Sequence, residues 1–178
     1  MAVPNRVSIA PITLLAGNKP EPADREGVAE ILTRCKASLI AGWLTRTKST
    51  PELNRLHLSD GQRTEHLPKL VDDLVERLNM PKVPTKDSDA IPSPAAVEHG
   101  KLRRTQGYTS AMLIHESRIL QVTIFGTLHA NLTQLDFTLL LPDVMIIADE
   151  VDSQLTQTME SFSDTSQSAK QHLVKPKA

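Results

Sequence analysis

One cysteine, one tryptophan, one tyrosine and three phenylalanines are all that the 178 residues hold of the types that staple or fill small cores. With Cys35 alone, no disulfide can form within the chain, and a lone thiol among scattered histidines does not make a zinc site. Cys35 lies on an apolar helical stripe, where a small buried hydrophobe is expected. Aromatics make up 3% of the chain against a hydrophobic share of 39%. The core must therefore be built of Leu, Ile, Val, Met and Ala, the palette of helices packed ridge into groove. Charge of one sign is lacking too: the net charge is −1. That gives no electrostatic reason to expect nucleic acid or an anionic membrane as a partner. No apolar run reaches the roughly 20 residues needed to span a bilayer. The apolar stretch Val7 to Ala16 is interrupted by Pro11 and makes a poor signal peptide. The expectation is one cytoplasmic domain of ordinary size.

Motifs of catalysis are also missing. There is no nucleophile elbow, P-loop or dinucleotide fingerprint. The six histidines (His57, His66, His99, His115, His129 and His172) include no i, i+4 pair of the kind that holds a metal on a helix. Asp149, Glu150 and Asp152 spread around a helix and read as a solvated face. No metal, no cofactor and no enzymatic activity are expected.

What is present is helical periodicity. Residues 1–23, with Pro4, Pro11, Pro20 and Pro22, read as a flexible arm. Asp24 is the expected N-cap of a first helix running to Arg46, with Val28, Leu32, Cys35, Leu39 and Trp43 on one face. Ser59 and Gln62 form a capping box for a second helix to Leu78, which Pro68 should kink near His66. The proline-rich stretch from Met80 to Ser93 reads as a loop. Ser93 and Pro94 start a third helix, ended by Gly107. A fourth, from Ser110 to Asn131, is apolar on much of its girth: Leu113, Leu120, Ile124 and Leu128 form one stripe, and Met112, Ile119 and Val122 a second. The last helix should begin near Thr133 or Asp136, with Pro142 as a kink or second start. Its seam of Val144, Ala148, Val151, Leu155 and Phe162 has heptad spacing, and exposed Leu155 and Phe162 would make it an association surface, with a homodimer among its partners. Residues 164–178 read as a disordered tail. The fold class is all-α, a bundle of four to five helices with a long C-terminal helix spanning the end of a domain at 24–163.

Residues 95–120 stand apart from generic helix filler. His99 and Arg103 share one helix face, and Glu116 sits inside an apolar run. A turn at Gln106 to Tyr108 would fold the third and fourth helices together and bring Arg103 toward Glu116. His99, Arg103, Tyr108 and Glu116 are then either an ion pair that fixes helix register or a polar patch lining a small-ligand pocket. The sequence His115, Glu116, Ser117, Arg118 echoes the phosphoacceptor box of sensor histidine kinases. There Glu116 would act as base for His115, but the usual proline is replaced by Ile119 and Leu120.

These residues carry a resemblance. Trp43, Leu67-Pro68-Lys69-Leu70, Ala96, His99-Gly100, Arg103, Gly107-Tyr108, Leu113 through Glu116, Arg118 and Leu120 resemble the RsbRD N-terminal domain over about Asp24 to Phe162. That family is the helical input module of RsbT co-antagonist proteins in the bacterial general stress response. The resemblance implies a non-catalytic sensory domain acting through protein–protein contacts, ordinarily followed by an output domain. No such domain follows within these residues, which leaves open a stand-alone protein or an excised module. A small-ligand-binding bundle and a phosphotransfer module using His115 are the alternative readings.

Overall fold

The computed structural model describes residues 25–81 and 91–173, with side-chain surroundings through residue 164. It has seven helical segments: α1 Val28–Ser49, α2 Pro51–Asn54, α3 Asp60–Thr64, α4 Leu67–Asn79, α5 Pro94–Thr105, α6 Ser110–Ala130 and α7 Leu140–Leu173. Five of these are long, and α2 and α3 are short, so the all-α expectation holds. Among the described residues there is no strand, only an isolated bridge between Glu26 and Leu135. No helix among them is long and apolar enough to cross a membrane. The expected arm at 1–23, the Asp24 cap, the loop at 82–90 and the tail at 174–178 lie outside the described residues.

Local chemistry sets the boundaries. α1 begins at Val28 with Gly27 as N-cap, and Glu30 Oε2 accepts from Gly27 N–H at 2.9 Å. The expected second helix is divided. The Ser59–Gln62 capping box is present and starts α3, but α3 ends at Thr64 and α4 starts afresh at Leu67. Pro68 falls in the first turn of α4, where a missing N–H leaves nothing unpaired. The last helix starts at Leu140, not near Thr133 or Asp136. Residues 131–139 are turns, pinned because Glu26 N–H donates to Gln134 O at 2.8 Å and Asp136 N–H to Glu26 O at 2.9 Å. Pro142 therefore sits in the first turn of α7 and needs no kink. The expected stop near 163 is also corrected: α7 continues to Leu173, for no proline or glycine follows Phe162 before Pro176.

The main core gathers Val28, Ile31, Leu32, Leu39 and Trp43 of α1, Leu67, Val71, Leu74 and Leu78 of α4, Leu120, Ile124 and Leu128 of α6, and Ile147 and Val151 of α7. Cys35 is half-buried at its margin rather than within it. Of the expected second stripe of α6, Met112 and Ile119 are half-buried and pack against the core clusters, while Val122 is 45% exposed. The α7 seam is taken up inside the chain. Val151 is buried, and Val144, Ala148, Leu155 and Phe162 are half-buried. Phe162 packs with Leu53, Tyr108 and Leu113 in a second cluster. The expectation of a seam projecting past the bundle is therefore corrected, because α4, α5 and α6 lie alongside α7 and cover it. The apolar surface left open is at the other end of that helix: Phe137, Leu139, Leu141 and Met145 are each half exposed or more.

α5 and α7 make the most extensive helix pairing. Gly100 explains how closely they cross. A Cβ built there would run into the Thr158 carbonyl and the Ser161 hydroxyl, and the carbonyl belongs to helix backbone that cannot step aside. Nearby, Thr158 Oγ1 donates to Ala96 O at 3.1 Å. Gly100→Ala should therefore lower unfolding free energy by about 1–3 kcal/mol despite its better helix propensity. Urea denaturation checks this, and an unchanged or raised midpoint would show that the crossing is looser than described.

Candidate functional site

The site is built from the end of α5 outward. His99 and Arg103, one turn apart, face the same way, and both are buried. α5 then stops in a Schellman motif. Gly107, at φ +82°, is in the left-handed region that glycine adopts without strain. Its N–H donates to Arg104 O at 3.1 Å, and the Tyr108 N–H to Arg103 O at 3.0 Å. This closure folds Tyr108 back, so that the Arg103 guanidinium carbon stands 4.8 Å from the centre of its ring. Thr109 caps α6, its Oγ1 accepting from Met112 N–H at 3.3 Å. Two turns on, Glu116 emerges on the buried stripe between Leu113 and Leu120 and faces Arg103.

Every donor of Arg103 has an acceptor. Nε donates to Glu116 Oε2 at 3.0 Å and Nη2 to Glu116 Oε1 at 2.7 Å, a bidentate pair. Nη1 donates to Gln62 O at 3.1 Å and Gln106 Oε1 at 2.7 Å, and Nη2 also donates to Arg63 O. Glu116 is equally saturated. Besides Arg103, its Oε1 accepts from Tyr108 OH at 3.3 Å, and its Oε2 lies 3.2 Å from His99 Nε2. An ionised carboxylate only accepts, so Nε2 of His99 carries the proton. The Trp43 indole N–H donates to the Glu116 backbone carbonyl at 3.4 Å.

Burial, the largest single influence, pushes the Glu116 carboxyl up. The hydrogen bond and charge of His99, with the charge and hydrogen bond of Arg103, outweigh it, and the group is held below the ordinary carboxylate value. Burial, aided by the Glu116 charge, pushes the Tyr108 phenol well above its ordinary value. His66 lies beside the cluster, its ring 6.3 Å from that of His99 and edge-on to it. Burial and then the charge of His99 depress it. Nδ1 of both rings is buried without a hydrogen-bond partner among the described residues. Glu98 Oε2, 3.8 Å from His66 Nδ1, is beyond that reach.

The four residues expected to meet do meet, in a network closed on itself. Beside it lies a cavity of about 30 Å³, bordered by His99, Ser117, Gln154 and Thr158. That volume suits water rather than an organic ligand, whose pockets run to about 300 Å³ or more. Helix α3 and the indole were not anticipated. The last carbonyls of a short helix lack i+4 donors, and Arg103 supplies two of them at Gln62 and Arg63. Arg63 is itself buried, donating to Leu53 O at 3.1 Å and Leu56 O at 2.7 Å. The capping box marks where α3 starts, but no sequence signal states what its last carbonyls face.

His115 is elsewhere. It is half exposed, and its Nδ1 lies 3.0 Å from Glu52 Oε2. Glu116 lies on the buried stripe of α6 while His115 faces solvent, so the echo of a phosphoacceptor box puts its two neighbours on different faces of the helix. Among the described residues no group of three or more His, Cys, Asp or Glu side chains is placed to hold a metal ion. Comparison with family models, with curated proteins and with solved structures gives no match.

Two depressed groups at this site, Glu116 and His66, set a pH dependence. Glu116, depressed when folded, contributes stability above its unfolded value that is lost as pH falls through its folded one. His66, also depressed, holds a proton less readily in the fold than in the unfolded chain, which takes one up below about pH 6.5. Stability should therefore decline as pH falls from 7.5 through that value. Glu150, which burial pushes up, acts in the opposite direction and cancels when variants are compared. The decline above pH 5.5 should be shallower in His66→Gln. Chemical denaturation at several pH values checks this, and parallel curves for the two proteins would refute it.

Proposed function

We propose that this chain is a non-catalytic regulatory input module of bacterial signalling, of the kind that its resemblance to the RsbRD N-terminal domain implies, acting through contact with other proteins. The observation that carries this reading is the closed network around Glu116. Of the residues that carry the resemblance, His99, Arg103, Tyr108 and Glu116 are its members, and Gly107 makes the turn that brings Tyr108 into it. A buried ion pair costs much desolvation and often stabilises a fold less than apolar packing would, whereas it holds one register sharply. A module that must hold one arrangement until its input changes has use for such a device.

The network also has an outlet. Arg104, adjacent to Arg103, donates to Phe162 O and stands over the Phe162 ring, 5.7 Å from its centre. A shift of the α5 end is thereby delivered to α7, a helix of 34 residues or about 51 Å. The start of that helix bears the exposed patch of Phe137, Leu139, Leu141 and Met145, a surface suited to a protein partner, a second copy of the chain included.

Hydrogen exchange on the wild type and Glu116→Gln tests the coupling. With circular dichroism unchanged, exchange should quicken along α7 as well as in α5 and α6. Changes confined to the α5–α6 hairpin would contradict transmission through α7.

A further inference from the structure

We infer that the groove between the C-terminal half of α1 and the outer face of α6 binds a small amphiphilic anion, a carboxylate, sulfonate or phosphate group on an apolar body. The site is separate from the Glu116 network and does not depend on the signalling reading. Its volume is about 410 Å³, within the range of small-molecule pockets. Its wall includes Arg46 from the last turn of α1, Thr50 just after that helix, and His115, Arg118, Ile119 and Val122 from α6.

Three observations choose the ligand. First, the guanidinium groups of Arg46 and Arg118 have no hydrogen bond or ion pair among the described residues, in contrast to Arg34, Arg63 and Arg103. Two unpaired planar cations on one concave wall suit a carboxylate-like or phosphate-like head. Second, no carboxylate borders the groove. Glu52, outside the lining, is engaged with Nδ1 of His115 at 3.0 Å. It opposes an anion, as does the partial negative charge at the end of α1. Two full positive charges exceed one hydrogen-bonded carboxylate and a half charge that fades within a turn. Third, Val122 lies 45% exposed and Ile119 half-buried in the same wall, an apolar surface that an inorganic ion would leave wet. The chain's net charge of −1 gives no general attraction for a polyanion.

The probe is 8-anilinonaphthalene-1-sulfonate, with N-phenyl-1-naphthylamine as its uncharged counterpart, each titrated by fluorescence. Wild type should bind the sulfonate at one saturable site. Arg46→Gln with Arg118→Gln, both exposed positions, should weaken it about tenfold or more and leave the uncharged probe unaffected. Methyl spectra should shift at Ile119 and Val122. Equal sulfonate affinity in the folded double variant, absence of saturable binding to wild type, or shifts confined to Leu141 and Met145 would each overturn the assignment.

Discussion

Arg103 and Glu116 are charged groups with almost no access to water, the side chains being 2% and 4% exposed. Taking two such ions out of solvent costs several kcal/mol each in real proteins, and the attraction between them compensates only with good geometry and full hydrogen bonding. Both conditions hold here. The guanidinium uses its whole fork and the carboxylate both oxygens, so neither ion keeps an unmet valence. The partners come from α5, α6, the last turn of α3 and the turn at Tyr108, so this pair fixes how four pieces of chain meet. Any displacement of one piece leaves a buried charge uncompensated, which makes the arrangement steep rather than compliant.

The rest of the bundle follows from that meeting point. Gly107 turns the chain where it must, and its positive φ is what places Tyr108 over Arg103. One turn before Arg103, Gly100 lets α5 lie directly on α7 near Thr158 and Ser161. α5 is thus held by ions on one side and by close backbone approach on another. α7 inherits its position from this contact, and its seam packs against α4, α5 and α6.

Much of this could be read from the residue pattern. Apolar spacing in α1, α4 and α6 gave the core, because a helix of period 3.6 declares its buried face locally. Ser59 with Gln62, Ser93 with Pro94, and Gly107 marked boundaries through capping chemistry that is equally local. Glu116 stood out as a charge within an apolar run, and His99 and Arg103 as its face-sharing counterparts. What could not be read was non-local. The heptad seam of α7 shows that something covers it, not whether the cover is this chain or another. The start of α7 at Leu140 depends on the pairing of Glu26 with residues 134–136, more than a hundred positions away. The Arg103 contacts to α3 carbonyls and the Trp43 contact to Glu116 join segments with no shared periodicity. His115 and Glu116 are adjacent in a suggestive motif, but helical geometry gives them different faces, one exposed and one buried.

The central claim is that the Arg103–Glu116 pair acts as one unit in holding the bundle. A double-mutant cycle with Arg103→Met, Glu116→Leu and the combined variant, followed by chemical denaturation at neutral pH, tests it most directly. Each single substitution strands a buried charge and should lower stability by about 3–5 kcal/mol, while the double variant should lose far less than the sum. Additive losses, with a coupling energy within about 0.5 kcal/mol of zero, would contradict the account.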